Sequence, residues 1–223
     1  MGVVTVNKRS QSTEEYLEAI FKLERTPAGA TVGRLAGELG VAPPSVSEMV
    51  ARMGGDGLLA RGAAGEVVLT AEGAVEAARL VRRHRLSERF LVDYLEMPWD
   101  EVHDEACKFE HVLSVEVEAR LAEQLGNPRT CPHGQAIPDE DGTFEEEPAI
   151  PLADLKPGER STITRISDER PDLLHYLGTL GLLPETSIAV EGVAPFGGPL
   201  LVRVAGAQYA LGREVAGKIF VRG

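Results

Sequence analysis

Apolar residues near the start of the chain recur at helical spacing. Between Thr13 and Arg25 they are Tyr16, Leu17, Ile20, Phe21 and Leu23, with Ser12 or Thr13 placed to cap the first turn. A second short helix is expected from about Thr31 to Leu39, stopping at Gly40. A third begins at Pro43 and Pro44, where proline suits a first helical turn. Its apolar positions are Val46, Met49, Val50 and Met53, and Gly54, Gly55 and Gly57 end it. The period then changes. Leu58–Leu59 and Val67–Val68–Leu69 flank a tip containing Gly62 and Gly65, which predicts a β-hairpin. Three helices followed by such a hairpin predict a winged helix-turn-helix over residues 1–72.

Helical periodicity resumes at Thr70 and continues to about Leu125, broken at Met97–Pro98–Trp99. Thr70 caps a long helix carrying Ala74, Val75, Ala78, Leu80 and Val81, and Leu86, Phe90, Leu91 and Tyr94 extend its stripe. Asp100 is placed to cap a second helix with Val102, Ala106, Phe109, Val112, Leu113, Val117 and Leu121. This apolar content exceeds what one small bundle can bury, so a homodimer is expected. Gly126 to Ala149 is acidic and aperiodic, an extended linker closing a helical region over residues 73–149. From Ile150 the pattern is one of short strands (RSTITRI, SIAVEGV, LLVRV, QYAL, KIFVRG) with a brief helix near Pro171 to Leu180. That predicts an SH3-like β-barrel over residues 150–223. The expected fold class is therefore mainly α with small β parts.

With 223 residues the chain can bury a substantial core in more than one domain. No stretch is apolar for long enough to span a bilayer, and the opening MGVVTVNKRSQS has no apolar core of a secretion signal. Val6 breaks the myristoylation pattern. A cytoplasmic protein is expected, with no membrane partner. The net charge of −12 argues against constitutive nucleic-acid binding, because phosphate contacts need Lys and Arg. A conditional binder is still allowed: much of the acid sits in Asp139–Asp141 and Glu145–Glu147, away from the head. Two cysteines, Cys107 and Cys131, make no disulfide scaffold.

The central helices carry the candidate chemistry. His84 and Glu88 are four residues apart; His103, Cys107 and His111 step by four, with Glu110 beside the last. On helices such spacing puts imidazole, carboxylate and thiolate on single faces, the donor types of a transition-metal site. Taken singly, each residue has an ordinary reading: His84 among Arg82, Arg83 and Arg85 as a surface residue, Glu88 as an ion-pair partner of Arg85 or Arg89. Their conjunction favours a metal. Cys131 and His133 form a Cys-x-His pair, readable alone as half of a zinc site whose other half is missing nearby. In the head, the third helix offers Pro44, Ser45, Ser47 and Glu48 near its N-terminal end, and Arg52 and the wing residue Arg61 add positive charge for DNA. No array suited to bidentate base contacts stands ready, which points towards readout through DNA shape and bridging water.

The stretches VRRHRLSERF and VHDEACKFEHVLSVEVEARL resemble the diphtheria toxin repressor family of iron- and manganese-dependent regulators, and the resemblance covers nearly the whole chain. It implies a homodimeric repressor of metal-homeostasis genes. Such a protein binds double-stranded operator DNA when loaded with Mn(II) or Fe(II), two ions per subunit. It further implies a primary site of Cys107, Glu110 and His111 completed by Glu15 of the first helix. Iron-type members have Met at that last place and manganese-type members Asp, so this chain pairs a hard carboxylate with the thiol of the iron type. An ancillary site would use His84, Glu88 and His103, with Cys131 and His133 as in one branch of the family, and Asp168 from the third domain.

Two other functions are compatible with parts of the pattern. A thiol redox sensor on the same scaffold would act through Cys107 or Cys131. A metalloenzyme would need an open coordination position beside a general base, and no nucleophile elbow, phosphate loop or zincin helix is present. No catalytic role and no small-molecule substrate are expected.

Overall fold

The computed structural model describes residues 10–26 and 28–223. The chain divides into two compact units: the N-terminal part up to Arg82 with Pro138–Thr143, and Arg83–Ile137 with Phe144–Gly223.

In the first unit, helix α1 (Gln11–Glu24) starts at Ser10, whose side chain accepts from the Thr13 amide. Helix α2 (Val32–Leu39) is capped by Thr31 and ends at Gly40 in the left-handed region, φ 65°. Helix α3 (Pro43–Gly55) buries Val46, Val50 and Met53. Strands β1 (Leu59–Arg61) and β2 (Val67–Leu69) pair antiparallel, and Ala30 bridges to Val67. This is the winged helix-turn-helix that the sequence pattern predicts. Helix α4 (Ala71–Asp93) leaves the wing at a close approach. A Cβ on Gly73 would sit 2.1 Å from the Leu58 carbonyl oxygen, so only glycine fits there.

The second unit holds the rest of α4, α5 (Val102–Glu110) and α6 (Val115–Gln124). The sequence pattern predicts one helix from Asp100 to about Leu125, and the structure corrects this. Ser114 accepts from the Val117 amide and starts a separate α6, a capping signal hidden inside an unbroken apolar stripe. Nor does Asp100 cap α5; its carboxylate lies 2.7 Å from His175 Nδ1. Leu86, Ala122 and Ile137 form one small core, and Leu91, Val102 and Ala106 another.

The C-terminal part of this unit is a six-stranded antiparallel sheet in the order β3-β8-β4-β5-β6-β7. Its strands are β3 (Ala149–Pro151), β4 (Arg160–Ile166), β5 (Ser187–Val193), β6 (Leu200–Val204), β7 (Ala207–Leu211) and β8 (Ile219–Arg222). Helix α7 (Pro171–Thr179) and the short α8 (Arg213–Ala216) accompany it. Inward positions alternate along the strands, as in Leu200, Val202 and Val204, and pack with Leu174 and Leu177 of α7. The register of β4 shifts between Ile163 and Arg165, where Thr164 and Arg165 pack against Gly134. No helix among the described residues is long and apolar enough to cross a membrane.

Candidate metal centre and nucleic-acid interface

Helix α4 presents His84 and Glu88 one turn apart, both fully buried. Helix α5 presents His103 and Cys107 one turn apart, both half-buried. The His84 ring touches both helices: Nδ1 lies 2.5 Å from Glu110 Oε2 and 3.9 Å from Cys107 Sγ, while Nε2 lies 3.1 Å from Glu88 Oε1 and 3.2 Å from His103 Nδ1. His103 Nε2 is 3.8 Å from Cys107 Sγ. His111 is the C-cap of α5, with Nε2 3.5 Å from Glu110 Oε1.

Cys131 and His133 enter from a loop held on three sides. Arg89 of α4 donates to the Thr130 carbonyl at 2.7 Å, and Arg85 donates to that of Ala136. The Ile166 amide of β4 donates to the His133 carbonyl at 2.9 Å. Gly134 closes the turn at φ +83°, and a Cβ there would fall 2.0 Å from the Thr164 carbonyl oxygen. The buried His133 ring is oriented from behind. Its Nε2 donates to the Trp99 carbonyl at 2.8 Å, leaving Nδ1 aimed at Glu88 (3.4 Å), Glu169 (3.9 Å) and Cys131 (4.0 Å).

Asp168, expected from the resemblance to complete this site, pairs instead with Lys218 at 2.9 Å and Arg170 at 3.1 Å. The carboxylate beside the histidines is Glu169, one residue on, 3.6 Å from His103 Nδ1. Glu169 and the Trp99 carbonyl are the features that sequence reasoning missed. A backbone acceptor leaves no trace in a sequence, and counting along the chain cannot separate two adjacent acids. Glu15 lies in the other unit, exposed on α1, accepting from Gln11 at 3.1 Å; Glu18, one turn on, is buried and 2.9 Å from Lys22.

The electrostatics suit a cation. Burial raises the pKa of Glu88, but the His84 charge and hydrogen bonds from His103, His133 and His84 outweigh it and hold the carboxyl well below 4.5. Burial likewise opposes ionisation of Cys107, yet His103 and His84 bring its thiol below its ordinary value. Burial and the Glu88 charge push the Cys131 thiol up. Glu88 Oε2 is buried without a hydrogen-bond partner. An unpaired carboxylate oxygen among imidazoles and thiols is costly unless something positive meets it. Nitrogen, sulfur and oxygen donors gathered around the Glu88 carboxylate fit a mid-row divalent metal.

Helix α3 has the opposite character. Val46, Val50 and Met53 face inward, while Pro44, Ser45, Ser47, Glu48 and Arg52 are exposed along its outer side. Ser47 donates back to the Pro43 carbonyl at 3.1 Å, and Arg61 on β1 donates to Gly65 at the wing tip at 3.1 Å.

Comparison with known proteins agrees with this architecture. Residues 8–62 match the iron-dependent repressor N-terminal DNA-binding domain, residues 70–139 the iron-dependent repressor metal-binding and dimerisation domain, and residues 150–223 the FeoA domain. The chain is 36% identical over 223 residues to the iron-dependent repressor IdeR of Mycobacterium tuberculosis strain H37Rv, covering 95% of this chain and 96% of that protein. The chain belongs to the diphtheria toxin repressor family. It is 39% identical over 142 residues to the diphtheria toxin repressor of Corynebacterium diphtheriae, 63% of each chain. A solved structure described as a manganese-dependent transcriptional repressor in complex with manganese superposes with a TM-score of 0.88 at 35% identity, covering 95% of this chain and 99% of that one. As a member of this family the protein is a metal-dependent transcriptional repressor and not an enzyme. It carries both a DNA-binding and a dimerisation domain. Within the residues matched to that domain, Tyr94, Leu95, Phe109, Val112, Val115 and Val117 are apolar and exposed.

Proposed function

We propose that Mn(II) or Fe(II) is the corepressor of this protein, and that loading readies a homodimer to bind operator DNA of metal-homeostasis genes. The reading assigns DNA binding to residues 1–72, metal response and dimerisation to 73–149, and a supporting SH3-like domain to 150–223. Cys107, Glu110 and His111 would hold one ion together with Glu15. His84, Glu88, His103, Cys131, His133 and Glu169 would form the ancillary centre; Asp168 is committed to Lys218 and Arg170. A bound divalent ion supplies fixed positive charge where the protein has collected carboxylates and thiols. The single observation that carries the reading is the buried, unpartnered Glu88 Oε2 within a cluster of imidazoles.

DNA contact would fall to Pro44, Ser45, Ser47, Glu48 and Arg52 on α3 and Arg61 on the wing. These offer hydroxyls and two positive charges, a set suited to phosphates. With the overall charge at −12, such a head needs the correct geometry in both subunits to bind well. Metal then acts by favouring the competent arrangement, and by linkage DNA tightens metal binding. The test is gel-shift or anisotropy titration of operator DNA with Mn(II), Fe(II) or chelator, repeated with Glu15→Ala and Cys107→Ala. Loss of metal response in both folded variants supports the assignment, and an unchanged response in either removes that residue from the site.

A further inference from the structure

Glu169 faces two ways. Its Oε2 lies 3.6 Å from His103 Nδ1, and its Oε1 lies 3.9 Å from His133 Nδ1. Glu88 is shared similarly: Oε1 is 3.1 Å from His84 Nε2, 3.6 Å from His103 Nδ1 and 3.4 Å from His133 Nδ1. Donor atoms of His84, Glu88, His103 and Glu169 all lie within 4.8 Å of one another, and so do those of Glu88, Cys131, His133 and Glu169. The two sets have both carboxylates in common and nothing else.

We propose that this pocket is a two-ion centre in which Glu88 and Glu169 bridge one divalent ion on His84 and His103 to a second on Cys131 and His133. The inference deepens the metal-dependent reading above and rests on it. A carboxylate whose two oxygens face different imidazoles is arranged to bind two ions rather than to chelate one; carboxylate-bridged pairs place ions about 3.5–4 Å apart. Glu88 supplies the remaining bridge, because its Oε1 already lies near His84 and His103 of one half and His133 of the other, while Oε2 is buried and unpartnered. Each half would then have an imidazole from a rigid support. His84 is fixed by Glu110 behind Nδ1, and His133 by the Trp99 carbonyl behind Nε2. The halves differ in softness. The Cys131 half has a thiolate and the His84 half does not, so the first ion to enter a mixed-metal solution goes preferentially to the thiolate side if it is the softer one.

The probe is Mn(II) alone, added to chelator-stripped full-length protein and followed by bound-metal analysis and electron paramagnetic resonance. Running it in His111→Ala as well removes the contribution of an ion held by Cys107, Glu110 and His111. The expected result is two Mn(II) in the pocket with a spin-coupled signal. Glu169→Gln should abolish the coupling. Cys131→Ala should lower the bound count by one, leaving an uncoupled ion. His103→Ala, at a half-buried position where folding is least at risk, should do the same from the other side. Circular dichroism confirms that each variant folds. A single uncoupled ion at saturation, no ion in the pocket, or coupling that survives both Glu169→Gln and Cys131→Ala overturns the two-ion centre. Metal-dependent DNA binding persisting alongside one uncoupled ion would sink this inference alone; coupled ions with DNA binding indifferent to metal would sink the repressor reading alone.

Discussion

His84 Nδ1 lies 2.5 Å from Glu110 Oε2, so one buried imidazole ties α4 to the end of α5. Its other nitrogen is 3.1 Å from Glu88. The ring therefore stands between Glu110 and Glu88, and in the function proposed above it would orient donors of both centres. His84→Ala removes a proposed ligand as well as the partner behind Glu110, and should weaken Mn(II) binding by at least roughly 10–100-fold, the cost of losing an orienting partner alone. Isothermal titration of the folded variant measures it, and affinity within twofold of the parent would show that the ring orients nothing.

Metal loading should weaken as pH falls. Burial disfavours a charged His133, but hydrogen bonds with Cys131 and Glu88 and the Glu88 charge outweigh it and push the imidazole up to about 11. At neutral pH the metal-free ring is a cation, and an ion binding Nδ1 must displace its proton. Each proton displaced strengthens apparent affinity by about tenfold per pH unit. Calorimetry at pH 7 in buffers of different ionisation enthalpy should show at least one proton released per Mn(II) bound in this pocket.

The same pair shapes the stability of the metal-free protein. The His133 pKa is raised above its ordinary 6.5, so its contribution is full below that value and is lost as pH rises towards about 11. The Glu88 pKa is lowered well below 4.5, so its contribution is full above 4.5 and is lost as pH falls. Thermal midpoints without metal should therefore be highest between about 4.5 and 6.5 as far as this pair decides them. A His133→Gln variant should lack the decline on the alkaline side of that window.

Gly134→Ala should damage the ancillary centre without touching a ligand. The new methyl would meet the Thr164 carbonyl at 2.0 Å, at a φ of +83° that alanine rarely adopts. Strain of this kind costs about 1–3 kcal/mol. The expected outcome is a lower thermal midpoint and weaker binding at the Cys131–His133 half, with Cys107, Glu110 and His111 unaffected. Wild-type melting would show that the loop has room the packing denies.

Arg52→Ala should leave metal content unchanged and weaken DNA binding by a similar factor on every sequence. A phosphate-contacting cation contributes about one unit to the slope of log affinity against log salt. Anisotropy titrations across a salt series measure that slope, and an unaltered slope would remove Arg52 from the interface.

Much of this architecture is legible along the chain because its periods are strong. The α3 stripe of Val46, Val50 and Met53, the Gly40 stop and the alternating strands of the third domain each follow from one local rule. The grouping of His84, Glu88, His103 and Cys107 is legible for the same reason, since residues four apart on a helix share a face. What escaped is what depends on neighbours remote in sequence. Ser114 starts a helix inside a stripe whose hydrophobic pattern never falters. Glu169 and Asp168 differ only in which way the turn before α7 aims them, and that is decided by Lys218 and Arg170 claiming the first acid. The Trp99 carbonyl reaches His133 through a backbone path that no residue type announces.

The central claim is that a divalent cation, and not the polypeptide alone, makes this protein competent for DNA. The most direct measurement is operator-binding affinity of chelator-stripped, full-length protein with and without saturating Mn(II) or Fe(II) at fixed ionic strength. The account predicts tight binding with metal that is lost on chelation and restored on readdition. Equal affinity in all three states would contradict it.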